Sequence, residues 1–190
     1  FTSCIGHSIR ESMYPIIEDI KVFLTYPQTM RSIMICGPHK TGKHHLLRCI
    51  LQYLKIETEQ LLHIDCAAIA LGKLTISDIM QRIDTSLDQE KNNIILFENL
   101  DALTEFPASI TTMETLLRFY QRMAENNELN LLFLAVTAMN ERFLQLQKLF
   151  QKVYKLPDLN SRTLKEKYEF VLYFMQNEAD AIGKSISLSS

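Results

Sequence analysis

Of the 190 residues, 47% are hydrophobic and 22% are charged, a balance that is typical of a globular domain and excludes a mainly disordered chain. The formal net charge is −2, so no strong overall field attracts nucleic acid or an anionic membrane. No apolar run approaches the roughly 18 residues that span a bilayer. The four cysteines form no C-x-x-C pair, which predicts reduced thiols in an intracellular protein. We therefore expect no nucleic acid and no membrane insertion.

Hydrophobic periodicity predicts helices that alternate with short, continuously apolar strands. In chain order these are helix Ser8–Leu24, strand Ser32–Cys36, helix Lys43–Leu54, strand Leu61–Ile64, helix Ile76–Leu87, strand Asn93–Phe97, helix Thr111–Asn126, strand Asn130–Val136, strand Val153–Leu156 and helix Asn160–Ile182. Apolar strands alternating with helices indicate an α/β fold with a five-stranded parallel sheet that helices cover on both faces. We expect Thr104–Thr112 to be the most mobile loop. The chain opens at Phe1 without an initiator methionine, and we expect it to be part of a longer protein.

A phosphate-binding loop follows the first predicted strand and opens the next helix. Its residues fit G-x-x-x-x-G-K-S/T except at the last position, where a histidine replaces Ser or Thr. In such a loop the glycines let several N–H groups converge on phosphate oxygens, and the lysine adds a positive charge. The alternative is a chance turn, which the strand–loop–helix context disfavours. The candidate nucleotide-binding residues are Gly37, Pro38, His39, Lys40, Thr41, Gly42, Lys43 and His44.

His44 weakens the expected magnesium site. The hydroxyl that it replaces normally holds Mg²⁺ beside the phosphates, and an imidazole is a poor ligand for a small hard cation. His39, His44 and His45 have no carboxylate or cysteine companion at ligand spacing, so we predict no separate metal site. The expected cofactor is ATP or ADP, with Mg²⁺ held at most through water.

An acidic strand end supplies the candidate catalytic residues, Glu98 and Asn99. In a P-loop ATPase this position carries an aspartate for magnesium-bound water and then a glutamate that activates the attacking water. Glu98 stands at the first position and can hold Mg²⁺ through water. Asn99 stands at the second, and its amide is not basic enough to act as a general base. The alternative is an acidic strand terminus without a role.

These segments together resemble the AAA+ ATPases. The likeness extends over most of Ile5–Ile182 and follows the family's order: Ile5-Gly6 before the first helix, the loop Gly37–His44, the strand end Ile94–Asp101 and the strand end Leu134–Asn140. It implies a P-loop NTPase core over residues 1–158. Residues 159–190 would then be either the start of a C-terminal helical lid that is otherwise mostly absent or a tail. A helix from about Ile9 before the first strand favours the classical AAA branch.

Two further departures from the family pattern concern its sensor and its arginine finger. The polar sensor residue falls on Met139 or on Asn140, and we take Asn140 as the candidate. The segment that carries finger arginines holds Arg142 early and then only Lys148 and Lys152. Because lysine cannot make the planar bidentate contact of arginine, activation of a neighbouring subunit is expected to be impaired.

The resemblance therefore implies a degenerate AAA+ domain that binds nucleotide with little or no hydrolysis and serves, with protein partners, as a structural or regulatory module of a larger complex. Two subfamilies are similar: the IQ-motif-and-AAA proteins of the ciliary dynein regulatory complex, and the inactive ATPase ring of peroxisomal export complexes. His44 after the loop lysine, and Leu149–Asp158 leading to Arg162, favour the ciliary type and a place in the axoneme. The alternative is an active remodelling ATPase. A nucleic-acid ATPase is disfavoured because no basic, aromatic-interleaved stretch is present.

Overall fold

Helices and strands alternate along the chain. A computed structural model describes residues 7–28, 31–57, 61–88, 90–105, 107–126, 128–140 and 143–181. The elements are α1 (His7–Thr25), β1 (Ser32–Gly37), α2 (Lys43–Leu54), β2 (Leu61–Asp65), α3 (Cys66–Ala70), α4 (Ile76–Ser86), β3 (Asn92–Glu98), a 3₁₀ turn (Leu100–Glu105), α5 (Pro107–Glu125), β4 (Asn130–Ala138), α6 (Phe143–Gln147), β5 (Lys152–Lys155), a second 3₁₀ turn (Leu159–Ser161) and α7 (Leu164–Ala181). Predicted residues Ile5, Gly6, Arg142 and Ile182 lie outside the described residues.

The five strands form one parallel sheet in the order β2-β3-β4-β1-β5. β1 is buried along its whole length, and every residue of β4 after Asn130 is buried, whereas the edge strands β2 and β5 are largely half-buried or exposed. Parallel strands need crossover connections, and the helices between them supply these. The predicted five-stranded parallel α/β fold is confirmed.

Helices cover both faces of the sheet, because side chains of a strand alternate between faces. In β1, Ile33 and Ile35 pack toward α1 and α2, whereas Met34 and Cys36 pack toward the side of α4 and α5. Each face holds its own apolar cluster of fully buried residues. The carboxyl ends of the strands thus meet at one edge, and the predicted site residues follow β1, β3 and β4 there. None of the described helices is long and apolar enough to cross a membrane.

The structure corrects the predicted loop at Thr104–Thr112. This segment holds the end of the first 3₁₀ turn and the start of α5, which begins at Pro107 rather than at Thr111. Proline suits the first turn of a helix because its fixed φ is helical and its missing N–H needs no partner there. Thr104 is buried, and its Oγ1 donates to the Asp101 carbonyl at 2.6 Å. Sequence periodicity also missed the five-residue helix α3, which Asp65 caps by accepting from Ala67 N.

Candidate nucleotide-binding site

The loop between β1 and α2 has the backbone conformation that an anion cradle requires. Lys40 has φ of 61° and Gly42 has φ of 88°, and Gly42 forms the N-cap of α2. Left-handed residues next to right-handed ones turn successive N–H groups toward one centre, and the start of α2 adds its positive end to that centre. Gly37 is closely surrounded, since a Cβ there would lie 3.0 Å from the Leu156 carbonyl oxygen.

Lys43 is held against the loop from inside. Its side chain is buried, and its Nζ donates to the Gly37 carbonyl at 3.0 Å and to the Pro38 carbonyl at 2.6 Å. Burial lowers the pKa of the Lys43 ammonium from its ordinary value, although the Asp101 carboxylate acts in the opposite direction. A desolvated cation at the start of a helix attracts phosphate oxygens strongly because water screens it little.

A cavity of about 530 Å³ opens beside this loop. The residues His39–His44 of the loop line it, together with His45 and Arg48 of α2, Asn99 and Asp101 after β3, Val136–Ala138 of β4, and Phe170 and Tyr173 of α7. Lys40, Lys43 and Arg48 face one carboxylate, that of Asp101, among the described lining residues. The excess of positive charge and the volume suit a nucleoside polyphosphate.

Asp101 is a site residue that sequence reasoning missed. Its Oδ1 accepts from Thr137 Oγ1 at 3.0 Å and from Ala138 N at 2.9 Å, so the carboxylate ties the end of β3 to the end of β4 inside the cavity. The signal was present in the sequence as an acid three residues beyond Glu98. The contact itself depends on the order of strands in the sheet, which the sequence pattern did not supply.

Glu98 faces away from the loop cavity and is engaged by two histidines. His63 Nε2 lies 2.8 Å from its Oε2, and His44 Nε2 lies 3.5 Å from its Oε1. These three side chains line a second cavity of about 660 Å³ between α2 and strands β2 and β3. Sequence reasoning missed His63, which lies on β2 and reaches Glu98 only because β2 pairs with β3. Within the described residues, no group of three or more His, Cys, Asp or Glu side chains is arranged to hold a metal ion.

Asn99 lines the loop cavity in a left-handed conformation with φ of 53°, which asparagine tolerates better than most residues. Its Nδ2 donates to Asp65 Oδ1 at 2.9 Å, so its amide is anchored to the end of β2. Asn140 is exposed, and its Nδ2 donates to Thr104 Oγ1 at 2.6 Å. The structure thus brings His39–His44 and Asn99 to one cavity, while Glu98 and Asn140 lie outside its lining.

Comparison with protein families identifies the family of this domain. Residues 33–157 match the family described as ATPase family associated with various cellular activities (AAA). The chain belongs to the AAA family. A search of curated proteins gave no significant match.

Solved structures with the same fold as this AAA domain include three from different organisms. ORC1 of Aeropyrum pernix, in complex with DNA, has a TM-score of 0.66 at 14% identity over 91% of this chain and 50% of its own. C. elegans PCH-2 has a TM-score of 0.63 at 16% identity over 99% and 52%. AMPPCP-bound DnaA of Aquifex aeolicus has a TM-score of 0.55 at 11% identity over 96% and 55%. This AAA domain therefore spans about half the length of these proteins, and at such identities the likeness concerns the fold.

The residues of this AAA domain fit the phosphates of a nucleotide better than they fit magnesium. The positive φ values, the closely surrounded Gly37 and the buried Lys43 form a phosphate cradle. No hydroxyl stands at position 44, and the carboxylate of Glu98 is hydrogen-bonded to His63 at 2.8 Å. The groups available to Mg²⁺ are therefore the His44 imidazole and the Glu98 carboxylate, which is already hydrogen-bonded, and this pair suits Mg²⁺ poorly.

Proposed function

We propose that this AAA domain binds ATP or ADP, hydrolyses ATP slowly or not at all, and acts as a structural or regulatory module of a larger protein assembly. The observation that carries the proposal is Asn99. It lines the phosphate-loop cavity and stands at the sequence position where a P-loop ATPase carries the base for the attacking water, and its amide is anchored to Asp65. An amide accepts no proton near neutral pH.

Nucleotide binding is supported by the loop and by the charge around it. Lys43 is buried with its ammonium at the head of α2, and Lys40 and Arg48 add positive charge to the same cavity. Charge-assisted hydrogen bonds to phosphate oxygens from such a loop are about twice as strong as neutral ones. We therefore expect the domain to hold a nucleotide whose phosphates contact residues 37–44.

Slow hydrolysis is supported by two independent departures from the family pattern. His44 removes the hydroxyl that would ligate Mg²⁺, and Asn99 removes the base. Metal assistance and general-base catalysis each contribute large factors, the latter typically about 10²–10⁴-fold. Losing both leaves binding without efficient turnover. We expect nucleotide affinity to depend little on Mg²⁺ for the same reason.

The proposal also concerns the partners of the domain and the assembly in which it acts. Because the domain retains a cradle but lacks the base, we expect it to contribute through protein contacts within an assembly, and a net charge of −2 argues against nucleic acid as the ligand. The resemblance of His44 and of the segment Leu149–Arg162 to IQ-motif-and-AAA proteins favours a ciliary assembly. Localisation of the tagged full-length protein in ciliated cells tests this: axonemal staining supports it, and a peroxisomal pattern supports the alternative subfamily.

Calorimetric titration with ADP and with ATP, each with and without Mg²⁺, tests the central proposal. Lys43→Ala should abolish binding, and Lys73→Ala, a change of an exposed lysine in the loop after α3, should not. We expect equal affinities with and without Mg²⁺ and no measurable phosphate release. Turnover of about 1 s⁻¹ or more that Lys43→Ala abolishes would contradict the proposal and support an active remodelling ATPase.

A further inference from the structure

A buried arginine contacts the phosphate loop from the C-terminal side. Arg162 follows the second 3₁₀ turn and is 6% exposed. Its Nη2 donates to the Thr41 carbonyl at 2.6 Å, and its guanidinium carbon lies 5.8 Å from the centre of the Phe170 ring. Asp158 shapes the turn that brings Arg162 back, because its carbonyl accepts from Ser161 N and Ser161 Oγ.

The positive charge of the Arg162 guanidinium is buried without a full set of hydrogen bonds. Its Nε is buried with no hydrogen-bond acceptor among the described residues. Burial lowers the pKa of Arg162, although the carboxylates of Glu166 and Asp158 act in the opposite direction. A buried charge is costly unless an opposite charge or a full set of hydrogen bonds compensates it. Phosphates bound in the neighbouring loop would bring such a negative charge close to it.

The hydrogen bond also fixes the direction of a peptide plane in the loop. In a trans peptide the C=O of one residue and the N–H of the next point in opposite directions. Because the Thr41 carbonyl points to Arg162, the Gly42 N–H points away from it, and both residues line the loop cavity. The same C-terminal segment contacts the other end of the loop, where Leu156 N donates to the Cys36 carbonyl at 2.7 Å.

We propose that Arg162 is a positioning residue for the phosphate loop: it sets the Thr41–Gly42 peptide for anion binding and couples nucleotide occupancy to the docking of residues 156–163 and α7. The inference rests on the proposed nucleotide binding and adds a regulatory link to it. Coupling between two sites is reciprocal, so nucleotide must tighten this segment by as much as the docked segment tightens nucleotide. Phe170, which contacts Arg162 and lines the cavity, lies on the helix that would respond.

The test compares wild type with Arg162→Met, Arg162→Lys and the control Arg118→Met, which removes an exposed arginine paired with Glu114 on α5. ADP affinity is measured by calorimetry, and hydrogen exchange of residues 37–46 and 156–175 is followed with and without saturating ADP. We expect Arg162→Met to weaken ADP binding about 10- to 100-fold, the value of one charge-assisted hydrogen bond. Arg162→Lys should lose less affinity, and Arg118→Met none.

Hydrogen exchange distinguishes positioning from mere structural support. In wild type, ADP should slow hydrogen exchange in both segments. In Arg162→Met at saturating ADP, the slowing that ADP causes should persist in residues 37–46 and should be absent in residues 156–175. Unchanged affinity and unchanged protection in both Arg162 variants would overturn this inference alone, even if their melting temperatures fall. If Arg162→Met does not fold, Arg162→Lys decides by the same two readouts. No binding of ADP to wild type would overturn the proposed function and this inference with it.

Discussion

The proposed loss of the catalytic base at position 99 predicts that a carboxylate there restores hydrolysis, and two variants of Asn99 form a matched pair for that test. In a His44→Thr background, which returns the metal-ligating hydroxyl, Asn99→Glu introduces a carboxylate and Asn99→Gln introduces its neutral isostere. Asp65 Oδ1 is already held by Ala67 N. The Asp65 carboxylate repels the new carboxylate. The longer side chain should therefore turn away from β2 and toward the cavity that Asn99 lines.

The two variants should differ from their parent in melting temperature and from each other in ATP turnover. Glutamate and glutamine tolerate a φ of 53° less well than asparagine, at a cost of about 1 kcal/mol, and in the Asn99→Glu variant the lost hydrogen bond to Asp65 adds about 1 kcal/mol. The Asn99→Glu variant should therefore melt roughly 4–8 °C below its His44→Thr parent, and the Asn99→Gln variant, whose amide can still donate to Asp65, roughly 2–4 °C below it. Only the carboxylate acts as a base, so ATP turnover by the Asn99→Glu variant should exceed that of the Asn99→Gln variant by about 10²–10⁴-fold.

Single-turnover phosphate release with Mg²⁺·ATP, together with thermal melts of the same preparations, measures the two quantities. The ratio of the two rates tests the carboxylate because side-chain length and backbone strain at position 99 are common to both variants. A ratio near one, with both proteins folded and binding ATP, would refute the view that Asn99 is the missing base. Parent-like melting temperatures would refute the strain estimate.

Three further predictions concern Lys43, Gly37 and the N-terminus of α4. Lys43→Met should abolish ADP binding yet leave the ligand-free domain equally or more stable at pH 7. The Pro38 carbonyl keeps the Thr41 hydroxyl as a donor, and the Gly37 carbonyl keeps Met139 N. The folded pKa of Lys43 is lowered, so wild type should gain stability relative to this variant as pH rises toward 10.5 in urea unfolding. Gly37→Ala places a Cβ 3.0 Å from the Leu156 carbonyl oxygen and should cost about 1–3 kcal/mol in the same assay; an unchanged unfolding free energy would show that the loop yields freely. Thr75 hydroxyl and backbone N–H bonds hold the pKa of Asp78 below its ordinary value of 3.8, so its contribution is present at neutral pH and is lost as pH falls through the folded pKa. The stability difference between wild type and Thr75→Ala should therefore shrink below about pH 4, and a constant difference would contradict this.

Local patterns were sufficient for most of the fold. Apolar runs predicted every strand to within two residues, because each strand is buried along most of its length or pairs with one that is. The predicted fifth strand, Val153–Leu156, is displaced by one residue from Lys152–Lys155. The failure at Thr104–Thr112 has a physical reason: polar threonines are typical of loops, but Thr104 is buried and its hydroxyl donates locally to the Asp101 carbonyl.

The phosphate loop was predictable because all its parts are contiguous in sequence. His63, Asp65 and Asp101 were missed as site residues because each reaches the site only through strand pairing, β2 with β3 and β3 with β4. Arg162 was predicted only as part of a family resemblance, and its bond to Thr41 links residues 121 positions apart. Sequence spacing carries no signal for contacts of that kind.

The two buried cations argue against a domain that keeps its loop for packing alone. Lys43 and Arg162 both lie in surroundings that lower their pKa, and each is 6% exposed. Replacing buried charges by apolar groups of similar volume is often neutral or stabilising, so packing does not require them. An anion bound in the loop gives Lys43, which lines the cavity, a direct partner, and it brings negative charge near Arg162, which contacts the loop through the Thr41 carbonyl. The cations therefore distinguish a cradle that still binds phosphate from a turn that merely connects β1 to α2, and titration of wild type with ADP separates the two.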